Sequence, residues 1–151
     1  MSWADFRMPN YHPGADAGAG LPAAPNPLKY SAAGNDVKDD VTQLTWRKAP
    51  EKGLFTFEDA VQACVDIDGV GTYRLPKRIE LASLLDYARS APYIDTSTFQ
   101  VPGVRAWTSS EVRPFDPDAP SYWIVDFEEG KVEPRPANAS TVAVALCVKG
   151  K

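Results

Sequence analysis

Apolar side chains recur at three- and four-residue spacing from Phe57 through Ala60, Val61, Cys64 and Ile67, which predicts one buried stripe along a helix. Thr56 stands at the N-cap position, and Glu58 and Asp59 suit the positive end of the helix dipole. Asp68-Gly69-Val70-Gly71 stops the helix. A second helix is expected after Tyr73-Arg74-Leu75-Pro76. Ile79, Leu81, Ala82, Leu84, Leu85 and Ala88 occupy so much of its circumference that it reads as buried, and it ends ahead of Pro92. Asp95 to Phe99 reads as a capped single turn. Elsewhere the period is two. Ala106–Ser110 and Tyr122–Phe127 read as strands, and Glu128-Glu129-Gly130-Lys131 turns the second back into Val132-Glu133. Thr141 to Val148 alternates, with Val142, Val144, Leu146 and Val148 on one side and Ala143, Ala145 and Cys147 on the other. Upstream, Val37, Val41, Leu44 and Trp46 are strand material, and Asn35 to Asp40 reads as a polar turn.

Length and composition narrow this to one loop-rich α+β domain. The 151 residues suffice for one core, and fourteen prolines and ten glycines favour turns over long elements. Residues 12–28, rich in Ala, Gly and Pro, predict an irregular segment. Trp3, Phe6, Met8 and Tyr11 are too apolar for a free tail, so residues 1–29 are expected to pack on a domain spanning 30–151. A formal charge of −4 speaks against general nucleic-acid binding, which needs a basic face. No run reaches the roughly 18 apolar residues of a transmembrane helix. The first residues lack a signal-peptide pattern, and Met1-Ser2 reads as a start replacing a removed signal.

The two cysteines, Cys64 and Cys147, allow a single intramolecular pairing, with two separate buried thiols as the alternative. One lies on the predicted first helix and the other near the end of the last predicted strand. A bridge there would pin a helix to a strand and remove about 4–5 kcal/mol of unfolded-state entropy.

Read in order, Thr45-Trp46, Thr56-Phe57-Glu58-Asp59-Ala60 with Cys64, Arg74-Leu75-Pro76-Lys77-Arg78-Ile79-Glu80-Leu81, Leu85-Asp86-Tyr87, Ile94-Asp95 with Phe99, Trp107-Thr108-Ser109-Ser110, Trp123-Ile124-Val125-Asp126-Phe127 with Gly130, and Leu146-Cys147-Val148 form a signature from about Asp36 to Val148. It resembles the bacterial domain family typified by the C-terminal domain of the Legionella collagen-like adhesin. The resemblance implies a C-type-lectin-like fold: two helices flanking a small twisted antiparallel sheet, with a long loop region on one side. It also implies export to a secreted, periplasmic or cell-surface location and a disulfide between Cys64 and Cys147. From the namesake it implies sulfated-glycan binding and a trimer. The acidic balance of this chain argues against a heparin-like ligand, and Lys77 stands where many members have a capping Ser or Thr.

Candidate chemistry concentrates in the Glu111–Ser121 segment, long, stiffened by proline and polar, with Phe115 expected to be exposed. Arg105, Trp107, Glu111, Arg113, Asp116, Asp118 and Tyr122 are the predicted ligand-binding residues for a sugar or peptide. Trp46, Trp107 and Trp123 offer aromatic faces to a sugar ring, although strand tryptophans more often fill cores. Arg74 reads as a structural clamp on carbonyls or a carboxylate. Glu133-Pro134-Arg135 puts a cation where a sugar-coordinating calcium site needs an amide oxygen. Asp36, Asp39 and Asp40, or Asp116 and Asp118, read as solvated turns before structural calcium sites, so neither metal nor other cofactor is predicted. A lone His12 in the irregular segment gives little support to nucleophilic catalysis. The formylglycine-generating type of enzyme, distantly related by fold, needs reactive cysteines that a bridge would consume. The expectation is a non-catalytic extracellular module that recognises carbohydrate or a protein surface, with a structural, homo-oligomer-forming role in a surface assembly as the alternative.

Overall fold

A computed structural model describes residues 30–101 and 104–150; the expected packing of residues 1–29 lies outside them. The order is β1 (Tyr30–Ala33), β2 (Asp36–Asp39), β3 (Thr45–Arg47), α1 (Phe57–Asp66), α2 (Arg78–Ala82), β4 (Arg105–Glu111), β5 (Ser121–Asp126), β6 (Lys131–Pro136) and β7 (Val148–Lys149). The fold is α+β. Its strands form two small antiparallel sheets, β1-β2-β3-β7 and β4-β5-β6, where the sequence suggested one. No helix among the described residues is long and apolar enough to cross a membrane.

α1 starts and stops where its pattern requires. The Thr56 hydroxyl accepts the Asp59 N–H and donates to the Asp59 carboxylate at 2.8 Å. Ala60 and Cys64 are fully buried, whereas Val61 is exposed, so the stripe is narrower than the spacing predicts. α2 departs further. It ends at Ala82, and Ile79 is 78% exposed; Leu84 and Leu85 are buried in the turns that follow. Apolar residues around a full circumference here encode a short helix plus a buried turn.

Asn35–Asp40 is also corrected. Gly34, at φ +62°, makes the turn, and Asp36–Asp39 is a strand with Val37 and Asp39 facing inward. Asp39 tolerates burial because its carboxylate accepts the Val41 and Thr42 N–H groups and the Thr42 hydroxyl. At the β5–β6 turn Gly130 has φ +65°, and a Cβ there would lie 3.0 Å from the Tyr93 ring.

Residues 143–148 form the centre of the molecule. Only Val148 of this run belongs to a strand, yet all six residues are buried. Val144, Leu146 and Val148 pack with Trp46, Leu81, Phe99 and Phe127; Ala143, Ala145 and Cys147 pack with Ala60, Cys64, Leu75 and Trp107. The alternation is therefore between two cores, not between core and water. The backbone is satisfied piecemeal: by Phe55 at Ala143, by Arg105 and Trp107 at Val144, by Glu51 at Ala145 and by Arg47 at Cys147. Cys64 and Cys147 are joined, with Cα atoms 5.5 Å apart, so α1 is fastened to this central bar.

Candidate functional site

β4 and β5 set the site geometry, because their two ends carry different chemistry. Arg105 faces Asp126 at one end, and Glu111 faces Tyr122 at the other, roughly 20 Å away along the strand. The residues predicted as one site therefore fall into two groups. Between the ends the register shifts after Trp107. The irregular stretch hooks the sheet to α2. The Thr108 hydroxyl donates to the Trp123 carbonyl, the Ser109 N–H to the Pro76 carbonyl, and Ser110 Oγ accepts the Arg78 N–H at 2.8 Å. With Lys77 at the N-cap, the Glu80 carboxylate accepts the Lys77 N–H, so neighbours supply the capping that Lys77 does not.

At the loop end, Glu111, Tyr122 and Arg135 occupy one cross-strand row of β4, β5 and β6. Glu111 pairs with Arg113 at 2.9 Å, and Arg135 with Glu133 at 2.6 Å. The Nε of Arg135 is buried with no hydrogen-bond partner among the described residues. The half-buried Tyr122 ring stacks on Phe57, centroids 3.5 Å apart, and Phe57 meets Trp107 edge-on. Burial, followed by the charges of Glu111 and Glu58, pushes the Tyr122 hydroxyl above its ordinary value and keeps it a donor. Beyond the row, the Val112 N–H bonds to the Ser121 carbonyl and closes the loop base. Asp116 and Asp118 lie exposed in the loop, where Asp116 accepts the Asp118 N–H. Phe115 is half-buried instead of exposed.

One predicted site residue, Trp107, is corrected, and another, Arg105, is placed apart from the rest. Trp107 is 0% exposed and donates its indole N–H to the Phe55 carbonyl, so its faces are unavailable to a ligand. Arg105 lies at the far end, away from the loop, bonded through Nε to Asp126 at 3.0 Å. There it borders a cleft of about 350 Å³ shared with Leu54, Val104, Glu128, Glu129 and Val142. Burial works against the Asp126 charge, but the N–H groups of Glu129 and Glu128 and the Arg105 guanidinium outweigh it and hold the carboxyl below its usual range.

The model of the family described as the Lcl C-terminal domain matches residues 35–149. The chain belongs to this family. The match takes in both cysteines, both helices and both ends of the β4–β5 pair. No curated protein and no solved structure matches the chain.

Several polar groups of this Lcl C-terminal domain are committed to holding it together. Arg74 grips Glu80 through both terminal nitrogens at 2.8 Å, as the clamp reading expects. Asp36 accepts from Tyr73, Arg47 and Lys149, tying β2, β3 and β7 to residue 73. Burial opposes the Asp36 charge, yet these donors hold its carboxyl below the ordinary range. The Asp36 and Asp39 carboxylates are thus turned toward protein partners, and no group of three or more metal-ligating side chains converges among the described residues. Trp46 is fully buried, and Trp123 is half-buried beneath the Arg78 guanidinium, 4.5 Å from its ring centroid. Sequence reading missed the Arg135 row and the Leu54–Val142 cleft. The Tyr122–Arg135 pairing was recoverable from hairpin register counted back from the Glu128–Lys131 turn. Leu54 gave no signal, standing alone after Gly53.

Proposed function

We propose that this domain is an exported, non-catalytic recognition module of C-type-lectin-like fold that binds carbohydrate or a protein surface through its loop end. The observation that carries the reading is the Glu111–Tyr122–Arg135 row beside the 112–120 loop. A carboxylate, a phenol and a guanidinium on three adjacent strands offer acceptor, donor and aromatic face on one rigid surface. Such a surface suits a polyhydroxylated ring, which needs both hydrogen-bond polarities and an apolar contact. Export is supported by the Cys64–Cys147 bridge, which persists in oxidising compartments. The bridge also withholds both thiols from chemistry.

A glycan array probed with and without calcium tests the reading, with Tyr122→Ala and Arg135→Gln as controls of correct fold. Discrete calcium-independent hits that weaken roughly tenfold in both variants support it. Hits unchanged in both variants, or no hit on any glycan together with no loop-end protein ligand in a crosslinking screen, overturn it.

A further inference from the structure

The cleft at the opposite end of β4 and β5 has a composition that the loop end lacks. Leu54 is 62% exposed and Val142 43% exposed, and with Val104 they wall it in aliphatic surface. Covering such side chains would remove apolar surface from water and favour a ligand that does so. The floor is polar but largely occupied: Asp126 takes two backbone N–H groups and Arg105 Nε. At the mouth Glu129 is paired with Lys131 at 2.6 Å. Glu128 is exposed and in no ion pair among the described residues. With Asp126 paired to Arg105 and Glu129 to Lys131, the Glu128 carboxylate is left as the excess charge and the cleft is net negative.

We infer that this cleft seats a lysine or arginine side chain of a partner protein, its aliphatic stem along Leu54 and Val142 and its cationic head on Glu128. Long basic side chains match both halves of the surface, burying methylenes while the charge stays at the rim. A purely apolar group would cover Leu54 and Val142 but leave Glu128 desolvated without a partner. An acidic group would meet Glu128 and Glu129 at close range. The complementarity is to one positive charge on a flexible stem. The inference uses no residue of the loop end.

The test is an NMR titration of the intact, disulfide-bonded domain with three capped pentapeptides that differ only at the central residue: lysine, norleucine or glutamate. The lysine peptide is expected to shift the Leu54 and Val142 methyl signals and the Glu128 amide. The norleucine peptide should bind roughly tenfold more weakly, and the glutamate peptide should leave those signals unmoved. Glu128→Lys should weaken the lysine peptide by roughly tenfold or more, while the loop-end variant Arg113→Ala binds it as wild type does. Equal binding of the lysine and norleucine peptides overturns the inference. So does an absence of shifts at millimolar lysine peptide, an indifferent Glu128→Lys variant, or a dimer in sedimentation whose formation hides Leu54 and Val142. Glycan binding at the loop end is unaffected by any of these results.

Discussion

The two cores on either side of residues 143–148 are held by different means. On one side the side chains are large: Trp46, Phe99, Phe127, Leu81, Leu84 and Ile94 surround Val144, Leu146 and Val148. On the other, alanines and cysteines dominate. Ala60, Ala143, Ala145, Cys64 and Cys147 bring α1 close to the bar, with Trp107 the one large, fully buried ring. Volume and dispersion hold the first side, and short, small-residue contacts leave less apolar area to hold the second. There the Cys64–Cys147 bridge and the Trp107 indole hydrogen bond to Phe55 take over. A domain can thus divide its stabilisation between packing and covalent closure across a single strand-like segment.

The largest expected effect comes from removing the bridge. Its ends are 83 residues apart, so Cys64→Ala with Cys147→Ala should cost about 4–5 kcal/mol in urea unfolding. Amide exchange should then rise first in α1 and at the Phe55–Ala143 contact, while β2 and β3 stay protected. Uniform acceleration in both halves would mean that the two cores are one cooperative body. Next, Leu146→Ala should cost about 2–5 kcal/mol through the cavity it opens, and Ala145→Leu about 1–3 kcal/mol through overpacking of the opposite side. If both cost the same by the same route, with equal loss of volume-dependent protection, the difference in packing is lost. Ser110→Ala removes the acceptor for the Arg78 N–H and should cost about 1 kcal/mol in thermal unfolding, felt where α2 joins β4.

The smallest effect is the pH dependence, and its sign follows from the carboxylates. For Glu80, burial pushes the carboxyl up, but Arg74 and the Lys77 N–H outweigh it and the value is lowered, as for Asp36 and Asp126. A carboxyl lowered on folding contributes stability that is fully present above its unfolded value of about 4 and lost as pH falls through the lower folded value. The melting temperature should therefore be level at neutral pH and drop below about pH 4. Glu80→Gln should flatten that drop relative to wild type. A melting temperature that rises on acidification would contradict all three assignments.

What the sequence made legible follows from how local each signal is. The α1 stripe, its Thr56 cap and the β5–β6 turn depend on neighbours within a few positions, and each was readable. The class, the family and the cysteine pairing were readable for the same reason: short motifs in a fixed order. What failed was the destination of an apolar face. Ile79 and Val142 look like core positions by period, yet the short α2 and the two-sided bar leave them in water. Trp107 fails in the opposite sense, being read as a ligand platform while it fills the smaller core. Arg105 and Glu111 were grouped because they lie close in sequence, but a strand separates its ends by its own length. That Arg135 stands beside Tyr122 was within reach, by counting the hairpin register back from the Glu128–Lys131 turn.

The central bar follows every other described element except β7, whose first residue it contains, so among the described buried segments it emerges last during synthesis. Until it arrives, neither cluster has its inner wall, and Cys64 has no partner. A chain stopped at Val142 is expected to show no slowly exchanging amides in either half. The nascent polypeptide is consequently expected to stay loose along most of its described length until residues 143–148 have been made.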